Sequence, residues 1–136
     1  MQILVDTNFW LIPGQFRVDI FAEFERLCGA NATIHTLSAS IDELTKLTKD
    51  AKNLAQRTAA KLGLQLIKQK KITIIPVNHA YADDAIVKYV RDNITSNPIG
   101  IATQDAELKS RLKPLGVSFI VLRARTHLEF IKQSYK

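Results

Sequence analysis

Short apolar runs rich in β-branched residues recur along the chain, each followed by a longer amphipathic stretch. They are residues 2–5, 33–37, 72–77, 99–103 and 117–122, which makes five candidate strands. Near-continuous hydrophobicity suits strands covered on both faces, and the segments between them are long enough for crossover helices. The expected fold class is therefore α/β, a three-layer α/β/α sandwich around a central, mainly parallel five-stranded sheet. Helical seams fill the intervals. Ile20, Phe21, Phe24 and Leu27 share a face that should stop near Gly29, and Ile41, Leu44 and Leu47 mark a second helix. Leu54, Leu62, Leu66 and Ile67 belong to a longer one, Ile86, Tyr89, Val90 and Ile94 to the next, and Leu108, Leu112 and Leu115 to another ended by Gly116. A last helix is expected through Leu128 and Ile131.

No internal repeat, low-complexity tract or linker interrupts this pattern, so the 136 residues are expected to form one domain, residues 1–136. No apolar run approaches the ~20 residues of a membrane-spanning helix, and Met1-Gln2-Ile3-Leu4-Val5-Asp6 lacks the basic flank and long apolar stretch of a secretory signal. Cys28 is the lone cysteine, which leaves no internal disulfide and fits a reducing, cytoplasmic location. It reads as a small packed hydrophobe, and Phe9, Trp10, Leu11 and Ile12 read as core in preference to a subunit contact.

The chain carries a net charge of +6 and a pI near 9.6, which suits a polyanionic partner. The charge is segregated. From Lys46 to Lys71 there are eight cations and one anion, Asp50, and from Lys109 to Lys136 seven cations and one anion, Glu129. The acids are concentrated elsewhere, and four of them follow candidate strands: Asp6 after the first, Glu43 on the helix after the second, the Asp83-Asp84 doublet after the third, and Asp105 after the fourth. In open α/β sheets ligands collect outside the carboxyl ends of the strands. Each acid also has an ordinary explanation, since Ser40-Ile41-Asp42-Glu43 has the form of a capping box, Asp83 or Asp84 could cap the helix it opens, and Thr103 could cap a helix beginning near Asp105. Capping does not require four acidic strand exits in a basic chain. Converging carboxylates repel and raise one another's pKa unless a cation neutralises them, and oxygen-only ligands select a hard ion such as Mg²⁺ or Mn²⁺. His35, His79 and His127 form no zinc-like spacing. Such a cation beside basic surface is the equipment of phosphodiester cleavage.

These residues resemble the PIN-domain nuclease family. The resemblance is carried by Ile3-Leu4-Val5-Asp6-Thr7-Asn8-Phe9-Trp10, by Glu43-Leu44, by Tyr81-Ala82-Asp83-Asp84-Ala85-Ile86, and by Ile101-Ala102-Thr103-Gln104-Asp105 followed by Leu108, in that order along nearly the whole chain. It implies a metal-dependent endoribonuclease in which Asp6, Glu43 and Asp84 hold the metal, Asp105 completes the site, and Asn8 and Thr103 orient its members by hydrogen bonds. Spacing to the apolar helix face favours Asp84 as the main ligand, with Asp83 either a supporting acid or an exposed helix-terminal residue. Lys46, Lys49, Lys52 and Arg57 are expected to guide the RNA backbone. The segments 81–86 and 108–112 look closer to the ribosomal RNA-processing branch than to the toxin-type ribonucleases, which act with an antitoxin partner. A homodimer is compatible with the resemblance.

Two other readings stay open: a non-catalytic RNA-binding or assembly module on the same fold, and a toxin. A haloacid-dehalogenase phosphatase is disfavoured because position 8 is Asn where a second Asp is needed, and a dinucleotide-binding domain because Thr7-Asn8-Phe9-Trp10 has no glycine.

Overall fold

The computed structural model describes residues 1–132. Chain order runs β1 (Gln2–Val5), a 3-10 turn (Thr7–Leu11), α1 (Ile12–Phe16), α2 (Ile20–Cys28), β2 (Thr33–Leu37), α3 (Ser38–Asp50), α4 (Leu54–Gln69) and β3 (Thr73–Ile75). It continues through α5 (Ala82–Asn93), β4 (Ile99–Ala102), α6 (Ala106–Leu112), a second 3-10 turn (Lys113–Leu115), β5 (Ser118–Arg123) and β6 (His127–Ile131). The strands form one sheet in the order β3-β2-β1-β4-β5-β6, parallel except for β6.

Alternation of side chains along β1 divides the core into two layers. Ile3 and Val5 join Phe9, Trp10, Phe24, Leu44, Ala59 and Ile67 on one face, packed by the first 3-10 turn and α2–α4. Leu4 points the other way, into a layer with Ile86, Val90, Leu108 and Leu112 from α5 and α6. Both faces are covered, as the apolar runs require. Phe9, Trp10, Leu11 and Ile12 are all buried, and Cys28 packs half-buried against the first layer.

Two glycines explain how closely the first layer can pack. A Cβ on Gly63, inside α4, would lie 2.7 Å from the backbone oxygen of Trp10, and one on Gly14 would lie 2.8 Å from Ala59 Cα. The Trp10 ring is fully buried and its Nε1–H donates to Thr36 Oγ1 at 3.1 Å, so the indole is packed and satisfied together.

The expected C-terminal helix is instead the sixth strand. Leu128 and Ile131 have helical spacing, but residues 127–131 alternate in burial, with Leu128 and Phe130 turned inward. Pairing with β5 from Phe119↔Ile131 to Arg123↔His127 satisfies the backbone, and a tight turn at Ala124 and Arg125 fixes the register. The outer edge of β6 is partly occupied: Leu128 N–H donates to Glu23 Oε1 and Arg26 Nη2 donates to Leu128 O, both at 2.8 Å. Two side chains of α2 thereby take the place of a neighbouring strand at that residue.

Candidate active site

In this strand order β1 and β4 are neighbours from which the sheet is built outward in opposite directions, the switch point where a crevice opens at the carboxyl edge. Asp6 leaves β1 there. Its backbone N–H extends the ladder to Ala102 O at 3.0 Å, and its side chain caps the following turn, Oδ1 accepting from Thr7 N–H at 2.8 Å. Oδ2 accepts from Thr103 Oγ1 at 2.9 Å, and that hydroxyl accepts from Asp105 N–H at 3.1 Å. Asp105 caps α6 through Oδ1, which accepts from Leu108 N–H at 3.1 Å. A chain of bonds thus ties the exit of β1 to that of β4.

Glu43 arrives from α3 between two other elements. Its Oε1 accepts from Thr7 Oγ1 at 2.9 Å, and its Oε2 from Ala82 N–H, the first residue of α5, at 2.8 Å. The expected capping box is absent. β2 runs straight into α3, so the helix begins at Ser38 and Ser40 lies inside it, buried, with no hydrogen-bond partner for its hydroxyl among the described residues. Glu43 caps a neighbouring helix, an arrangement only tertiary packing produces.

Asp6 is only 7% exposed, and burial is the main reason its carboxyl is pushed up from 3.8 to about 6. The bonds from Thr103 and Thr7 pull it down, while the charges of Asp105 and Glu43 push it further up. No cation pairs with it among the described residues. Asp83 and Asp84 lie in the first turn of α5, beside the amide that Glu43 caps. Their half-exposed carboxylates face Arg111 of α6: Arg111 Nη2 is 3.0 Å from Asp84 Oδ1 and Nη1 is 3.9 Å from Asp83 Oδ2. The structure therefore brings Asp6, Glu43, Asp105 and Thr103 together, and leaves the doublet next to them under a guanidinium. Among the described residues no three His, Cys, Asp or Glu side chains form a ready-made metal cage. A buried carboxylate without a counter-charge, flanked by further carboxylate oxygens, nonetheless suits a hard divalent cation.

Asn8, of which an orienting role was expected, is exposed and its amide has no hydrogen bond to any described residue; Thr7, for which no role was expected, bonds both Asp6 and Glu43. A hydroxyl residue directly after an acid at a strand exit is the sequence signal that would have found Thr7. Arg111 had no such signal. Lys46, Lys49 and Lys52 are exposed, and Lys46 is three residues beyond Glu43 on the same helix, hence its surface neighbour. Arg57 is committed locally, Nη1 donating to Ala51 O at 2.9 Å where α3 ends.

A sheet wound both ways from β1 and β4, with acids gathered at that switch point, is the framework of a PIN-type domain. The family described as PIN like domain matches residues 3–125, and the chain belongs to it. It is similar to Ribonuclease VapC4 of Methanocaldococcus jannaschii, with 30% identity over 128 residues that cover 94% of this chain and 95% of that protein. In fold it is similar to the structure described as the PIN domain endonuclease Utp24, with a TM-score of 0.75 over 99% of this chain and 96% of the other at 22% identity. No helix among the described residues is long and apolar enough to cross a membrane.

Proposed function

We infer that the protein is a metal-dependent endoribonuclease that hydrolyses RNA phosphodiester bonds at the carboxyl edge of β1 and β4. The observation that carries this is Asp6, a buried carboxylate with no counter-charge, hydrogen-bonded through Thr103 to the segment that presents Asp105 and through Thr7 to Glu43. The family and the resemblance to a named ribonuclease support it.

Asp6, Glu43, Asp84 and Asp105 would hold the ion, Mg²⁺ or Mn²⁺ by the oxygen donor set. When bound, such an ion supplies Lewis-acid activation of water and positive charge at the phosphate. Thr103 fixes Asp6 Oδ2, and Thr7 fixes Asp6 Oδ1 and Glu43 Oε1, so neither acid has to be ordered when substrate arrives. Asp105 uses only Oδ1 in capping α6; its Oδ2 has no partner among the described residues and is open to take a proton from the attacking water. Arg111 shields Asp83 and Asp84 from their own repulsion. Lys46, Lys49 and Lys52 receive the RNA backbone, and Asp83 supports Asp84 from the same helical turn. The reading extends to structured RNA of the ribosomal-precursor type, supported by the segments 81–86 and 108–112.

The test is incubation of purified protein with single-stranded and structured RNA in Mn²⁺, in Mg²⁺ and in chelator. Cleavage should require the metal and fall by at least about 100-fold in Asp6→Asn and in Asp84→Asn. Unimpaired cleavage by both variants refutes the site. Salt-sensitive RNA binding in chelator with no product in either metal makes the protein a binding module instead. Tolerance of the expressed protein by a growing host separates a processing enzyme from a toxin.

A further inference from the structure

A groove of about 620 Å³ opens beside the acidic rim, between the first 3-10 turn with α1, the start of α4, and the β5–β6 turn. Its near wall is continuous with the rim: Asn8 lies two residues beyond Asp6, and Gln104 lies between Thr103 and Asp105. The lining has two chemistries. Asn8, Gln15 and Gln56 bring carboxamides whose side chains hydrogen-bond none of the described residues, and each offers two donors and an acceptor. Apolar surface comes from the half-buried Phe16 and Leu122, with the buried Leu11 and Ile12 behind them. Gln104 is different, because its Oε1 accepts from Leu122 N–H at 2.7 Å and it braces the wall.

The far lip is strained. Ala124 and Arg125 have φ of 53° and 60° in the turn closed by Thr126 N–H to Arg123 O at 3.1 Å. Turns of that form favour Asn or Gly, and two residues with a Cβ raise the energy of the native chain. Both residues line the groove, and the exposed Arg125 makes no ion pair or hydrogen bond through its side chain with the described residues. The strain sets a cation at the mouth, where a phosphate approaching an acidic rim would meet it.

A planar, apolar-faced ligand with donors and acceptors on its edge, attached to a phosphate, matches this lining, and unpaired bases are read in this way by stacking and edge hydrogen bonds. We propose that the groove is a base-reading subsite, seating one unpaired nucleobase of the RNA next to the phosphate that is cleaved and so setting the sequence at which the protein cuts. The proposal rests on the endoribonuclease reading, and the experiment keeps the two apart. Labelled RNA tetranucleotides differing only in one base are titrated in chelator and followed by anisotropy. The full chain should separate the best from the worst base by about tenfold, the scale of one well-read base edge. Gln15→Ala/Gln56→Ala should compress this to about twofold, with circular dichroism unchanged. Arg125→Gly should weaken all four RNAs alike while raising the melting temperature, opposite movements that a purely structural residue does not give. A full chain that distinguishes no base, a double variant that distinguishes them as before, or an Arg125→Gly protein that binds undiminished overturns the subsite. The same RNAs in Mn²⁺ test hydrolysis separately: base preference in chelator without product in metal overturns the nuclease reading and leaves the groove as a binding site.

Discussion

Replacing Asp6 by Asn should make the metal-free protein more stable while removing its activity. The carboxyl is raised from 3.8 to about 6, chiefly by burial. Because the folded state holds the proton more tightly than the unfolded chain, Asp6 contributes full stability below 3.8, and that contribution is lost as the pH rises through about 6. At about 1.4 kcal/mol per pKa unit, the ionised group costs about 3 kcal/mol at neutral pH as an upper bound. Asn is nearly isosteric, can still accept from Thr7 N–H, and can donate to Thr103 Oγ1 in place of accepting from it. The gain at pH 7.5 should therefore be about 1 to 3 kcal/mol, which is roughly 3 to 5 °C of melting temperature per kcal/mol for a chain of this size. Urea unfolding of both proteins in chelator from pH 4 to pH 8 measures it. The difference should be near zero at the acid end, open between about pH 4 and 7, and then level off. Added Mn²⁺ should raise the melting temperature of the parent and much less that of the variant. A variant less stable than its parent at pH 7.5, or a difference independent of pH, would refute the picture of an uncompensated buried charge.

Arg111→Gln removes the guanidinium from Asp83 and Asp84; calorimetric titration should find Mn²⁺ bound up to about fivefold more tightly, the scale of a half-exposed ion pair. Gly63→Ala drives a methyl to 2.7 Å from Trp10 O and should cost about 2 kcal/mol in chemical unfolding, with tryptophan fluorescence as the local reporter. Glu23 is held down at about 2 by the Arg26 guanidinium and the Leu128 N–H, so its contribution is present above 4.5 and lost as pH falls towards 2. Glu23→Gln should cost about 1 kcal/mol at neutral pH, discounted because Arg26 is half exposed, and the two proteins should converge in acid.

The strands show where sequence reading works. Residues 2–5 and 33–37 coincide with β1 and β2, and the other three runs overlap β3, β4 and β5, because a strand buried on both faces must be apolar throughout. At Leu128 and Ile131 it fails: a five-residue segment has too few positions to separate a period of 3.6 from one of 2, and pairing with β5 decides. In the candidate site, the convergence of Asp6, Glu43 and Asp105 was legible as acids at strand exits. Which atoms hold them was not. Asn8 was expected to orient the acids and Thr7 does so, because the 3-10 turn after Asp6 directs the Thr7 side chain to Glu43.

Sequence alone determined the layered α/β architecture and the segregation of acids from bases, since both follow from which residues can leave water and which recur after each apolar run. Only the tertiary structure decided that Glu43 caps α5, that Gly63 exists to admit the Trp10 backbone, and that Arg111 stands over Asp83 and Asp84. Those partners lie between 27 and 53 residues apart and meet from separate elements, and no local pattern encodes a contact whose geometry is fixed only when both faces of the sheet have been packed.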